Sequence, residues 1–319
     1  MTHTRTSPAT SAPTPTTPPA APTPAASSVP ARAVRGPAPY LVPALLAVGL
    51  TMYGPLLAVT ALSLFDFNLT TQTPRWVGAD NYREVFASPE TGTALRNTVA
   101  YMATILPLSV LAPGLAAIAV WRFGGRLTGF YRTVFFLPVL IPPAVGAVMW
   151  QWIFNPVLGI ADAPLELLGL GPVSWLTQPV SAFVAVTIVA GWKVFGLSFI
   201  LFTAGLTAID ANVMAAARLD RAGEWQLLRH IVVPLLRPVT TVVVFATVVF
   251  VGPWTFGVID VLTQGGPAGA TSNVYYLLYQ LGFGYVDGGP ASALSVLITV
   301  GFGAVVAAQM RLSGRRAGR

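Results

Sequence analysis

The chain has no cysteine, two histidines and only eleven acidic residues among 319. The missing cysteines exclude disulfides and thiolate metal sites. With His3 and His230 as the only imidazoles, an H-E-x-x-H zinc helix and a Ser-His relay are both unsupported. No G-x-x-x-x-G-K-[ST] phosphate cradle occurs, so the chain is not expected to bind and hydrolyse ATP. Charge of either sign is scarce, at 9% of residues against 54% apolar, which is too extreme for a soluble domain of this length. The long apolar runs contain no acid, which weakens the reading of a stand-alone proton- or sodium-coupled carrier or channel.

Those runs are what the chain has instead. A bilayer span needs about 20 mostly apolar residues, and six such stretches occur, at 40–64, 97–121, 133–154, 181–207, 231–256 and 291–310. They predict an all-α, polytopic membrane protein with six transmembrane helices in the lipid bilayer. The net charge of +7 reports topology rather than a nucleic-acid partner. Fourteen of the eighteen basic residues fall on one side of the six-span arrangement: before the first span, in the second-to-third and fourth-to-fifth loops, and after the last span. Arg75, Arg83 and Arg96 fall on the other side. Cytoplasmic loops retain Lys and Arg, so both termini are expected in the cytoplasm.

Residues 1–39 are rich in Pro, Thr, Ala and Ser and are expected to form a disordered cytoplasmic tail, not a signal peptide. The membrane domain then covers 40–310, and 311–319 is a basic cytoplasmic end. Prolines stand in nearly every span (Pro43, Pro55, Pro107, Pro113, Pro138, Pro142, Pro143 and Pro253), each freeing a carbonyl that something else must satisfy. One charge, Lys193, lies inside a span. It suits a solute pathway, a snorkelling side chain or an ion pair with a partner subunit. Trp192 and Trp254 suit sugar stacking, interface anchoring or packing.

The most informative stretch is the polar interruption at 212–238, N-V-M-A-A-A-R-L-D-R-A-G-E-W-Q-L-L-R-H-I-V-V-P-L-L-R-P. Good helix formers dominate it, with Val213, Ala216 and Ala217 at helical spacing before Gly223, and Trp225, Leu228 and Ile231 after it. Two short helices meeting at a bend are predicted, with an amphipathic surface built to hold another protein.

This loop resembles the E-A-A-x3-G-x9-I-x-L-P segment of permease subunits of bacterial ATP-binding-cassette importers. Ala215, Ala216 and Ala217, three residues, Arg221, nine residues, Ile231, Val233 and Pro234 fall on that spacing, with Asp220 and Ala222 in the D-G-A positions. Further motifs are similar to the carbohydrate branch, specifically the first permease of glycerol-3-phosphate, lactose and multiple-sugar systems. They include R-N-T-V-A-Y (96–101), Y-R-T-V-F-F-L-P (131–138), W-Q-W-I-F-N-P-V-L-G (150–159) and V-L-T-Q-G-G-P (261–267), the last placing Gly265, Gly266 and Pro267 on the outer side.

The resemblance implies a type I importer permease in the bacterial cell membrane. It further implies a second permease subunit, two ATPase subunits carrying ATP and Mg, an extracytoplasmic solute-binding protein and a sugar or oligosaccharide solute, with glycerol-3-phosphate or a polyol as the alternative. This chain would bind no cofactor of its own, and its 212–238 loop would dock on the ATPase. Two positions depart from the pattern: Ala215 replaces the acid and Arg221 the bend glycine. The turn is therefore expected at Gly223.

Overall fold

The computed structural model describes residues 38–68, 70, 73–169 and 172–317. Almost all of the tail read at 1–39 lies outside the described residues. Backbone packing divides the chain after Thr51. In the first unit, helix α1 (Ala38–Val48) leads into a π-helical stretch, Gly49–Tyr53. Its Leu41, Leu45 and Leu46 side chains are exposed, as expected of a helix that meets lipid.

The second unit opens with α2 (Gly54–Leu62), followed by a two-residue antiparallel ladder of β1 (Phe65–Asp66) and β2 (Arg75–Trp76). Helix α3 (Asp80–Ala87) follows, with Asp80 in its first turn. Asn81 fixes the ladder by donating to the carbonyls of Ser63 and Phe65, each at 2.9 Å. Next come α4 (Pro89–Phe123), α5 (Thr128–Leu140), α6 (Pro143–Ile153), α7 (Ala163–Leu167) and α8 (Pro179–Thr207). The 211–236 segment holds α9 (Ala211–Leu219), α10 (Glu224–Leu227), a π-helical stretch Leu228–Val232, and α11 (Val233–Leu235). Helices α12 (Arg237–Leu262), α13 (Val274–Tyr279) and α14 (Gly288–Ala317) complete the unit.

Five helical stretches are long and apolar enough to cross a membrane: Leu41–Leu62, Pro89–Phe123, Pro179–Thr207, Arg237–Leu262 and Gly288–Arg311. The third apolar run, 133–154, is not one straight helix. It is the α5–α6 pair, bent by 104° at Ile141–Pro142. Two consecutive prolines, Pro142 and Pro143, supply no amide protons to the carbonyls of Pro138 and Val139. The residue before a proline also avoids helical angles, and Ile141 has ψ 124°. Pro107 and Pro113 sit inside α4 and Pro253 inside α12, so those prolines leave their helices continuous. Several boundaries differ from the hydropathy reading, two of them for a clear physical reason. Helix α4 begins eight residues earlier than 97, because Pro89 and Glu90 make a favourable first turn. The fifth span starts at Arg237 rather than 231, because 231–236 packs as part of the preceding polar segment.

The core of this unit runs along α8. Near its middle, Ala185, Val186, Val189 and Ala190 pack with Tyr101 and Ile105 of α4 and with Val251, Val258 and Ile259 of α12. Near its end, Phe199, Phe202 and Leu206 pack with Ala117 and Val120 of α4 and with Val232, Leu236 and Val243. A third cluster joins α3, α4, α13 and α14. Helices in lipid gain little from solvent exclusion and rely on close packing of small residues. Gly196 is such a place: a Cβ there would sit 2.9 Å from the carbonyl oxygen of Phe135 and 2.8 Å from a Val139 methyl.

Gly196→Ala is expected to force α5 and α8 apart and cost about 1–3 kcal/mol, read as a lower thermal unfolding midpoint in detergent. Gly191→Ala, where a new Cβ meets nothing within 4 Å, is the control and should leave the midpoint in place.

Candidate functional site

The 211–236 segment is ordered by its own polar side chains. Asp210 caps α9, its carboxylate accepting the Asn212 amide at 2.8 Å. Gln226 accepts the Gly223 amide at 2.9 Å and so starts α10. Between them the chain turns at Asp220–Gly223. The turn was expected at Gly223, but Gly223 is extended (φ −64°, ψ 158°) and Arg221 itself holds the left-handed conformation, φ 52°. The amide of Ala222 reaching back to the Ala217 carbonyl, at 3.1 Å, goes with a reversal at Arg221, two residues before Gly223. A side chain in that conformation costs about 1–2 kcal/mol, which the packing beneath must offset.

That packing divides the segment into two faces. Ala217, Leu227 and Val232 are buried, and Met214 and Leu228 lie against the cluster formed by the ends of α4 and α8. Ile231 and Pro234 are half-buried where the segment rejoins α12. The opposite face presents Ala215, Ala216, Asp220 and two large apolar side chains, Leu219 at 84% and Trp225 at 71% exposure. The three consecutive alanines are therefore split: Ala215 and Ala216 face outward and Ala217 belongs to the core. Leu228 is likewise turned inward, against the same cluster. Glu224 remains more than half exposed while its carboxylate pairs with the Arg122 guanidinium in the last turn of α4. A cavity of about 240 Å³ lies beside this pair, with Met214, Arg218 and Leu228 among its walls.

Lys193 is held within the bundle by this chain's own backbone. Its side chain is 1% exposed, so it does not snorkel. The ammonium donates to the carbonyl of Pro138 at 3.0 Å and also to that of Ile141. Pro138 is one of the carbonyls that the missing proline amides strand, and Ile141 stands at the α5–α6 break itself. The C-terminal end of α5 carries partial negative charge, which favours a cation there. The Trp254 ring lies 5.4 Å from the same ammonium and stacks on Phe250. Trp192, one residue before, points the other way. With Trp150, Phe183, Thr104, Thr187 and others it lines an aromatic cavity of about 750 Å³ between α4, α5, α6 and α8.

At the far end of α4, the loop after α12 carries Gly265 at φ 77° and a cis Gly266–Pro267 bond. The Thr271 hydroxyl donates to the Gly266 carbonyl at 2.9 Å and meets the Thr263 hydroxyl at 2.8 Å. Sequence reasoning quoted R-N-T-V-A-Y only as a motif; its side chains hold this loop. Asn97 donates to the carbonyls of Gly269 and Ser272 (3.0 and 2.9 Å), and Tyr101 to that of Thr271 (3.1 Å). Asn273, also missed, caps α13 and donates to the Thr255 hydroxyl at 2.8 Å. A cavity of about 450 Å³ opens between this loop and the start of α4, lined by Glu90, Gln264, Gly265 and Gln280 among others. Nearby, burial, with the carboxylates of Glu84 and Asp66 adding to it, pushes the Asp287 carboxyl above its usual range.

Lys193→Met is expected to strand both carbonyls at the break, each worth about 1–3 kcal/mol when unsatisfied. Relief from burying the cation offsets part of that. A clear drop in the detergent unfolding midpoint is the expected outcome, and an unchanged midpoint would mean that the break needs no such donor.

Comparison with known proteins agrees with this geometry. The family model described as "Binding-protein-dependent transport system inner membrane component" matches residues 109–319. The probable ABC transporter permease protein YurN of Bacillus subtilis (strain 168) is 32% identical over 265 residues, covering 82% of this chain and 90% of that protein. The sn-glycerol-3-phosphate transport system permease protein UgpA of Agrobacterium fabrum is 33% identical over 243 residues, 76% of this chain and 82% of its own. The trehalose/maltose transport system permease protein MalF of Thermococcus litoralis is 31% identical over 262 residues, 82% and 87% respectively. Among solved structures, the fold is similar to a chain of a bacterial alginate ABC transporter in complex with alginate pentasaccharide-bound periplasmic protein. The TM-score is 0.77 at 21% identity, covering 87% of this chain and 93% of the other. An exposed, ordered polar segment on a bundle of apolar helices, matched along most of its length to these permeases, leads to one assignment: this chain is a multi-pass membrane subunit belonging to the family of binding-protein-dependent transport system inner membrane components, with the fold of a type I ABC importer permease.

Proposed function

We propose that this chain forms half of the translocation pathway of an ATP-driven importer for a neutral sugar or oligosaccharide, working by alternating access with a second, non-identical permease. An extracytoplasmic binding protein delivers the solute at the end of the bundle that holds Gly265, Gly266 and Pro267. Two ATPase subunits, carrying ATP and Mg, dock at the opposite end on the 211–236 segment. Both termini then lie in the cytoplasm, with 1–39 as a tail, 40–310 as the membrane domain and 311–319 as a basic end. The arginine distribution supports that orientation.

The observation that carries the docking assignment is the outward face of Ala215, Ala216, Leu219 and Trp225. Large apolar side chains exposed on a short, capped helical segment fit a partner's groove. Arg221, Asp220, Ala222 and Gly223 shape the turn between its two helices, and Ile231 and Pro234 join it to α12. Solute class follows from the aromatic cavity. Trp150, Trp192 and Phe183 offer ring faces, and no charged side chain lines it among the described residues. A phosphorylated polyol such as the solute named for UgpA needs a cation, and the ammonium of Lys193 is already held by two carbonyls. Trp254, stacked on Phe250 beside that ammonium, belongs to the same part of the bundle.

Co-reconstitution of the chain with its partner subunits and binding protein tests this reading. A panel of neutral sugars should stimulate ATP hydrolysis more than polyol phosphates do. Ala216→Glu should reach the membrane but lower uptake by about tenfold or more, because a carboxylate buried unpaired in a contact costs over 1.4 kcal/mol. Wild-type uptake by that variant contradicts the docking assignment.

A further inference from the structure

We infer that the Arg122–Glu224 ion pair is the positioning contact that makes α4 move with the 211–236 segment. The proposal rests on the permease reading above and adds to it a named mechanical link. Arg122 stands in the last turn of α4 and Glu224 in the first turn of α10, on the far side of the turn that Arg221 makes. Among the described residues it is the one ion pair that joins two helices; Arg83–Asp80 lies within α3 and Arg75–Asp66 within the β1–β2 ladder. The pair is sheltered on one side, with the Arg122 side chain 25% and the Glu224 side chain 58% exposed. The Phe123 ring lies 5.4 Å below the guanidinium.

The rest of the contact beneath the segment is apolar and non-directional. Met214, Leu228 and Val232 rest on the cluster containing Ala117 and Val120, and a cavity of about 240 Å³ remains between the two elements. Apolar packing around a void permits sliding; a charge-assisted hydrogen bond sets one register. Arg218 borders the same cavity and is the alternative cation for Glu224 if the segment slides. The other end of α4 is tied equally specifically: Asn97 and Tyr101 donate to three backbone carbonyls of the loop 269–272, and the Thr98 hydroxyl accepts the Val274 amide at 3.1 Å. Helix α4 is thereby hydrogen-bonded at both ends to the two segments on which partners are proposed to act. The α12 backbone is the covalent route between them, and α4 is the second.

The test is a charge exchange, made in the full chain reconstituted with its partner subunits. Arg122→Gln and Glu224→Gln should each lower solute taken up per ATP hydrolysed by about fivefold, the most a partly exposed ion pair is expected to shift an equilibrium. The double exchange Arg122→Glu with Glu224→Arg should restore most of the ratio. The absence of native cysteine allows a second readout in the same proteins. Spin labels on Leu127→Cys and Arg229→Cys, both exposed, should give a narrow distance distribution in the wild type and the exchanged protein, and a broad one in the single variants. Single variants with unchanged coupling and unchanged distances overturn the proposal. So does an exchanged protein as defective as either single, because each side chain would then act alone. If distances respond as expected but no ATPase stimulation occurs in the wild type, the permease reading fails and the positioning contact stands.

Discussion

A helix broken inside a bilayer leaves carbonyl groups that no water satisfies, and such backbone is tolerated only where protein supplies the missing donors. The α5–α6 break is that situation, created by Pro142 and Pro143 and resolved by one side chain of α8. Lys193 must reach Pro138 and Ile141, so α8 must run directly against α5. Gly196, three residues on, is the point of nearest approach that permits it. With α5 so held, α6 turns away by 104° and packs on α12, and the aromatic cavity opens where α5 and α6 diverge around Trp150 and Trp192. A buried cation, expensive in isolation, is thereby neutralised in effect by the negative end of a helix and the face of Trp254.

Both ends of the bundle depend on this middle. Helix α8 carries the two main clusters, one above the break and one below it. The lower cluster is the floor on which the 211–236 segment rests. The upper one includes Tyr101, whose hydroxyl also holds the loop after α12. A shift of α8 or α4 is therefore felt at both segments. The two ends also differ in kind. The loop after α12 is tied by hydrogen bonds to backbone, which fix one shape, whereas the 211–236 segment rests on hydrocarbon and a single ion pair, which leaves it freer to follow a partner.

How much of this was legible in the sequence follows from the range of each interaction. The apolar runs and the two short helices of 211–236 depend on local composition and were read correctly in kind, except that the run at 133–154 is a bent pair of helices. The amphipathic character of that segment was legible too, but not which alanines face out: Ala217 is buried only once the chain has folded. The partners of Asn97 are carbonyls 172 and 175 residues away, and carbonyls carry no side-chain signature. Lys193 was visible as an anomaly, yet its answer was a pair of carbonyls more than 50 residues earlier, at a break made by prolines that were themselves noted. The turn at Arg221 shows the opposite failure. Residue preference pointed to Gly223, and the hydrogen-bond register after α9 overrode it.

The central claim is that the outward face of the 211–236 segment receives the work of a separate ATP-hydrolysing subunit. A photoreactive or thiol-linked cross-linker on Trp225→Cys tests it most directly, since that position is exposed and the chain offers no competing thiol. In membranes containing the whole transporter, the account predicts cross-links to an ATPase subunit whose yield changes when ATP is replaced by ADP. Cross-links confined to lipid or to this chain, indifferent to nucleotide, would contradict it.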